Sequence, residues 1–173
     1  MRLLHYDIET APAIVVAFGL YDQNIPYQHV IQDWFIICAA FKWHDKKKVE
    51  SVSVLDDPKR FKKDHTDDFH VVSTLHNGNK FYWKKFMARV VFHGLPPLKK
   101  PIMVDTLLQA RQFAFTSRKL GDLGTHLGFE NKLETERGLW VRAAQGCADA
   151  IKKMTTYCKG DIPPLVSLYE RLA

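Results

Sequence analysis

A change of hydrophobic period about a third of the way along this chain constrains its fold more than any other feature. The first third carries short apolar runs separated by polar or turn-rich segments. Residues 3–9 ("LLHYDIE") carry Leu3, Leu4, Tyr6 and Ile8, and 14–21 ("IVVAFGLY") and 35–43 ("FIICAAFKW") are rich in β-branched and aromatic side chains. Residues 49–55 ("VESVSVL") alternate polar with apolar. Such runs predict strands, here an antiparallel meander. Beyond residue 80 the spacing becomes helical. In "KFYWKKFMARVVFHGL" (80–95), Trp83, Phe86, Met87 and Val90 form one stripe, with Lys84, Lys85 and Arg89 largely off it. Gly94, Pro96 and Pro97 end that helix.

The rest of the chain continues the alternation. "PIMV" (101–104) reads as a short buried strand, and Thr106 with Gln109 fits a capping box for the helix "LLQARQFA". Residues 117–128 read as a helix bearing Leu120, Leu123 and Leu127 on one side. From Gly138 the pattern is mostly helical, with a break near "KGDIPP", because Pro163 and Pro164 fit only the first turn of a final helix. Between 56 and 75 two readings stay open. Thr66-Asp67-Asp68 caps a short helix, or "VVSTL" (71–75) is a strand. Strands followed by helices and short strands predict one α/β domain over residues 1–173.

The chain has 173 residues, 46% of them hydrophobic, which suits a globular domain with a substantial core. Its formal charge of +6 tilts it modestly toward polyanionic partners. Cys38, Cys147 and Cys158 are odd in number and widely spaced, giving neither a disulfide framework nor a zinc motif. Three reduced thiols in a cytoplasmic protein are expected. No charged leader with an apolar core precedes the first run, and no run is long enough to span a bilayer, so neither a signal peptide nor a membrane partner is expected. No pattern specifies an oligomeric state.

Three groups of residues carry candidate chemistry. Asp7 and Glu9 stand two apart in a strand and therefore share a face, where their mutual repulsion favours a divalent cation. By itself, a D-x-E pair is more simply the solvated face of an ordinary strand. Tyr157 and Asp161, four apart, stack on one face of a helix, although alone Asp161 is as well read as a helix-terminal residue. "HNGNKFYWKKF" (76–86) joins turn chemistry to an aromatic and basic helix. There Asn77 and Phe81 stand out, while the stripe below them is ordinary core material.

The order of these motifs, D-x-E, then HNG-x-x-F, then Y-x-x-x-D, resembles the DEDD 3′–5′ exonucleases. These have the ribonuclease H-like fold and include the proofreading domains of DNA polymerases. The terminal tyrosine motif resembles their DEDDy branch. "PIMVDTLLQARQFAFTSRKLGDLGTHLG" and "LWVRAAQGCADAIKKMTTYCKGD" look like its small bacterial and phage members, so the resemblance spans nearly the whole chain. It implies a mixed sheet, an antiparallel meander followed by parallel strands, flanked by helices. It implies Mg²⁺ or Mn²⁺ in a two-metal site, with Asp7, Glu9 and Asp161 as ligands and Tyr157 positioning the attacking water. Thr10, Asn77 and Phe81 would contact the 3′ end of single-stranded DNA.

Two departures from the pattern are visible. The residue after Phe81, expected to be Asp, is Tyr82, a neutral phenol where a fourth carboxylate is expected. The stretch before His76 has room for about one element where relatives place a helix and a strand, which predicts a trimmed fold. The resemblance therefore implies an exonuclease of reduced activity or a catalytically inactive relative that binds single-stranded nucleic acid. A basic α/β domain with scattered surface acids is the remaining reading.

Overall fold

The computed structural model describes residues 2–56, 71–129 and 135–173. Seven strands form within them: β1 (Arg2–Thr10), β2 (Ile14–Val15), β3 (Val30–Gln32), β4 (Ile36–Trp43), β5 (Glu50–Ser53), β6 (Val71–Leu75) and β7 (Ile102–Asp105). The helices are α1 (Trp83–Phe92), α2 (Thr106–Ala110), α3 (Leu120–Leu127), α4 (Arg137–Ala144), α5 (Ala148–Gly160) and α6 (Ile162–Leu172). Five strands make one mixed sheet in the order β5-β4-β1-β6-β7. β1 pairs antiparallel with β4 and β4 with β5, whereas β1 pairs parallel with β6 and β6 with β7. The expected mixed sheet with flanking helices is the one observed.

The central strands are covered on both faces. In β1 the consecutive residues Asp7 and Ile8 are both buried, and in β4 so are Ile37 and Cys38. Neighbours in a strand point to opposite faces, so both faces must be packed. One core gathers Ile37 and Ala40 of β4 with Ala143 of α4 and Ile151, Met154 and Cys158 of α5. A second joins Ala110, Leu123 and Leu168 of α2, α3 and α6. At roughly 1.5–3 kcal/mol for each large apolar side chain removed from water, these two clusters anchor the helices that carry the C-terminal motif.

Several local expectations are corrected. The run 14–21 contributes only Ile14–Val15, which pairs with β3 in a separate two-stranded ribbon. Phe18, Leu20 and Tyr21 are 85%, 93% and 83% exposed, so among the described residues no facing layer holds them in a strand. The ribbon's base is nevertheless tied down. Gln32 Nε2 donates to the Ala144 carbonyl (3.2 Å), and Arg89 pairs with Asp33 at 2.7 Å while lying 4.0 Å over Trp34. Arg89 is thus buried, not on a solvated face, because its charge and its planar guanidinium both find partners. Residues 71–75 are strand. The suggested helix cap at 66–68, and the missing element expected before residue 76, fall on 57–70, outside the described residues.

The helix expected from residue 80 begins as a π-helical turn over Gly78–Tyr82 and becomes α-helical at Trp83. The capping box at Thr106 does not form. Asp105 is the N-cap of α2, accepting from the Leu107 amide, while the Thr106 hydroxyl donates to the Leu75 carbonyl. The third helix starts at Leu120, not Ser117, and ends at Gly128, whose φ of 74° suits a residue without Cβ. "PIMV" is an edge strand whose Ile102 is exposed, so it is buried only in part.

His5, fully buried in β1, lies 3.0 Å from His44 Nδ1 through its Nε2 and packs edge-on against Tyr169. Burial, followed by the charges of His44 and Lys42, lowers its pKa from 6.5 to about 4. The folded state therefore binds the His5 proton more weakly than the unfolded chain. This contribution to stability is complete above the unfolded pKa and declines as pH falls from 6.5 toward 4. About 2 kcal/mol is expected to disappear between pH 7.5 and 5. Urea unfolding at both pH values checks this, because His5→Phe removes that part of the pH dependence. An equal pH dependence in both proteins contradicts it.

Candidate metal centre

The D-x-E pair sits in the middle strand of the sheet. Asp7 and Glu9 occupy alternate positions of β1 and so share a face, where Asp7 is buried and Glu9 half-buried. The β1–β4 register slips between Glu9 and Thr10, a bulge at the end of the acidic segment. Asp161 arrives from the opposite end of the chain, at the junction of α5 and α6. Its amide donates to the Tyr157 carbonyl (3.2 Å), closing α5, and its own carbonyl accepts from Leu165 (3.3 Å), opening α6. Pro163 and Pro164 are tolerated because amides in a first turn have no intrahelical acceptor.

These elements bring Asp7, Glu9 and Asp161 together, with one carboxylate oxygen from each inside a mutual spacing of 4.8 Å. Unit charges that far apart repel by roughly 3.5 kcal/mol even at an effective dielectric constant of about 20. Two of the three residues are nearly inaccessible to water, Asp7 at 8% and Asp161 at 3% exposure. Such a cluster needs hydrogen-bond donors, a cation, or both.

Among the described residues, Tyr82, Trp140 and Cys158 stand against it. The Tyr82 phenol hydrogen-bonds to the Asp7 carboxylate. Burial, and then the charges of Asp7, Glu9 and Asp161, raise its pKa, so it stays a neutral donor. The Trp140 indole Nε1 donates to Glu9 Oε2 at 3.2 Å. The Cys158 thiol lies 3.6 Å from the Asp7 carbonyl oxygen and 3.7 Å from Oδ2. Its hydrogen bond with Cys38, and then burial, raise its pKa, so it too remains protonated. Sequence reasoning missed Trp140 and Cys158. A tryptophan beside the buried Leu139 on one helix is a signal, because a half-buried indole N–H needs an acceptor.

The HNG turn builds the opposite wall. Asn77 takes the left-handed conformation (φ 67°), and Gly78 follows where an added Cβ would stand 2.8 Å from Leu75 Cβ and Cδ1. Only glycine fits that approach without displacing a fully buried leucine. The Asp105 carboxylate clamps the turn, accepting from the amides of Asn77 (2.9 Å), Asn79 (3.1 Å) and Leu107 (3.1 Å). His76 Nε2 donates to the Arg118 carbonyl at 2.8 Å, tying the turn to the segment that precedes α3.

A groove of about 670 Å³ opens between these walls, lined by Asp7, Asn77, Phe81, Tyr82, Arg118 and Asp161 among others. The expected strand contacts Asn77 and Phe81 therefore share one groove with two of the three acids. Glu9, Thr10 and Tyr157 do not line it. Thr10 pairs with Ile36 at the bulge, and buried Tyr157 sets its ring edge-on to Trp140 at 5.9 Å. Three hard carboxylate donors this close fit a divalent cation. Tyr82, a neutral phenol, adds no fourth charge.

A scan against protein-family models finds no match, and no curated protein sequence matches the chain. Among solved structures, it is similar to the family B DNA polymerase from the hyperthermophilic archaeon Pyrobaculum calidifontis, with a TM-score of 0.61 and 17% identity. The match covers 99% of this chain and 24% of the polymerase. The likeness is one of fold. The five-stranded mixed sheet with its flanking helices is compatible with the ribonuclease H-like architecture. No helix among the described residues is long and apolar enough to cross a membrane.

Proposed function

We propose that this chain is a DEDDy-type 3′–5′ exonuclease domain, weakened by Tyr82, that acts on the 3′ end of single-stranded DNA. The observation that carries this reading is the convergence of acids from both ends of the chain, Asp7, Glu9 and Asp161, within 4.8 Å. Asp7 and Asp161 share their groove with Asn77 and Phe81. A common fold with part of a DNA polymerase supports it.

In this reading Asp7, Glu9 and Asp161 hold Mg²⁺ or Mn²⁺. When bound, such a cation neutralises phosphate charge and makes a coordinated water more acidic. The chain's own residues do the rest. The HNG turn holds Asn77 and Phe81 at the groove wall, where an aromatic face suits a terminal base. The Tyr157 hydroxyl orients the water that attacks phosphorus. The bond broken joins phosphorus to the 3′ oxygen of the preceding nucleotide, so a 5′-mononucleotide leaves and the shortened strand keeps a 3′ hydroxyl.

The test is release of mononucleotides from a 3′-labelled oligonucleotide in Mn²⁺. Slow release is expected from the native chain. Asp7→Ala is expected to lose at least about 100-fold, because a cation ligand is removed. Equal release by both proteins would falsify the assignment.

One observation favours a second reading, a binding protein without catalysis. The neutral Tyr82 phenol hydrogen-bonds to Asp7 where the resemblance expects a fourth carboxylate. On this reading the protein binds single strands in a salt-dependent way and releases no nucleotide.

A further inference from the structure

We infer that Trp140 is a positioning residue of the acidic centre, bracing Glu9 and Tyr157 together from α4. The inference rests on the cation-binding reading above and extends the site to an element that no motif includes. Its indole N–H reaches Glu9 across 131 residues of sequence, 3.2 Å from Oε2. The same ring stands at 74° to the ring of Tyr157. One side chain from α4 thus touches a carboxylate from β1 and the tyrosine that precedes Asp161 on α5.

The helix behind it is firmly placed. Leu139, Ala143 and Ala144 of α4 are all buried in the core that also holds Ile151 and Met154 of α5, and Trp140 packs against the same cluster. Rigid backing matters, because a carboxylate on a two-methylene stem swings freely unless something fixes one oxygen. A charge-assisted N–H···O contact fixes the Glu9 headgroup and lowers the cost of holding it beside Asp7 and Asp161. The edge-to-face contact does the corresponding service for the Tyr157 ring. Groups that orient a metal's ligands commonly change affinity by about 10–100-fold when removed.

The experiment measures Mn²⁺ affinity by electron paramagnetic resonance for the native chain, W140F, E9Q and the double variant. W140F keeps an aromatic ring beside Tyr157 and loses the donor together with part of the ring's packing volume. It is expected to weaken Mn²⁺ binding roughly 10-fold. In the E9Q background the same change is expected to alter affinity less than about 2-fold, since coupled residues are not additive. A structural role alone would give the same loss in both backgrounds and would overturn the inference, as would unchanged affinity in W140F.

A second measurement reads the Trp140 ring itself, with W140F needed only to assign its signal. The chain has four tryptophans. After labelling with 5-fluorotryptophan, one of the four fluorine signals is expected to broaden at substoichiometric Mn²⁺, and the W140F spectrum identifies it. If Mn²⁺ binds and that signal stays sharp, the brace is wrong while the cation site stands. If the native chain binds no Mn²⁺, the cation reading fails and takes the positioning role with it.

Discussion

Tyr82→Asp is expected to turn a weak cation site into a strong one, with a Mn²⁺ affinity gain of at least about 10-fold and a sharp rise in nucleotide release. Two effects add. The phenol's hydrogen bond to Asp7 disappears, freeing that carboxylate. A fourth carboxylate then joins three whose oxygens already lie within 4.8 Å of one another. The same change carries a cost without metal, because four like charges crowded into one partly buried cluster repel. In a chelator the variant is expected to melt below the native chain, and in Mn²⁺ at about 100 times its Kd it gains roughly 2.7 kcal/mol. For a chain of this size that is a rise of roughly 5–10 °C. Thermal melts with and without Mn²⁺ read this directly. A metal-induced shift no larger than that of the native chain contradicts the account of Tyr82. A large shift without nucleotide release favours the binding protein.

Asp105→Ala is expected to be the most destabilising single change around the groove. One buried carboxylate accepts from three amides, those of Asn77, Asn79 and Leu107, at 2.9–3.1 Å. Removing it leaves three donors short of an acceptor and α2 without its N-cap, a loss of about 3–5 kcal/mol. The melting temperature is expected to fall by roughly 10 °C. Amide exchange at Asn77 and Asn79 is expected to lose protection first, since the HNG turn hangs on that carboxylate. A loss below about 1 kcal/mol, or unchanged protection at those amides, means that the turn is held by His76 and the Gly78–Leu75 contact alone. Asp105→Asn, which keeps one acceptor oxygen, is expected to fall between the two.

The local pattern was legible where it had a single solution. β1 followed from its short apolar run, β4 from a dense β-branched and aromatic one, and the break at "KGDIPP" from the fixed φ of proline. The run 14–21 misled because apolar composition cannot say whether a facing layer exists, and none among the described residues covers Phe18 or Leu20. Arg89 misled because a cation at the edge of a helical stripe is ordinarily solvated, whereas here Asp33 and Trp34 enclose it. The hold of Asp105 on Asn77 and Asn79 was not legible, because it depends on the parallel pairing of β6 with β7.

The sequence by itself determined that Asp7 and Glu9 share a face, that HNG makes a turn, and that two prolines open a final helix just beyond Asp161. These are consequences of backbone geometry over a few residues. Only the tertiary structure decided that the two ends of the chain meet, that Tyr82 leans on Asp7, and that Trp140 reaches Glu9. Those contacts join residues tens to more than a hundred positions apart. They are set by which faces the central strands and helices must bury together, a condition that no local window contains.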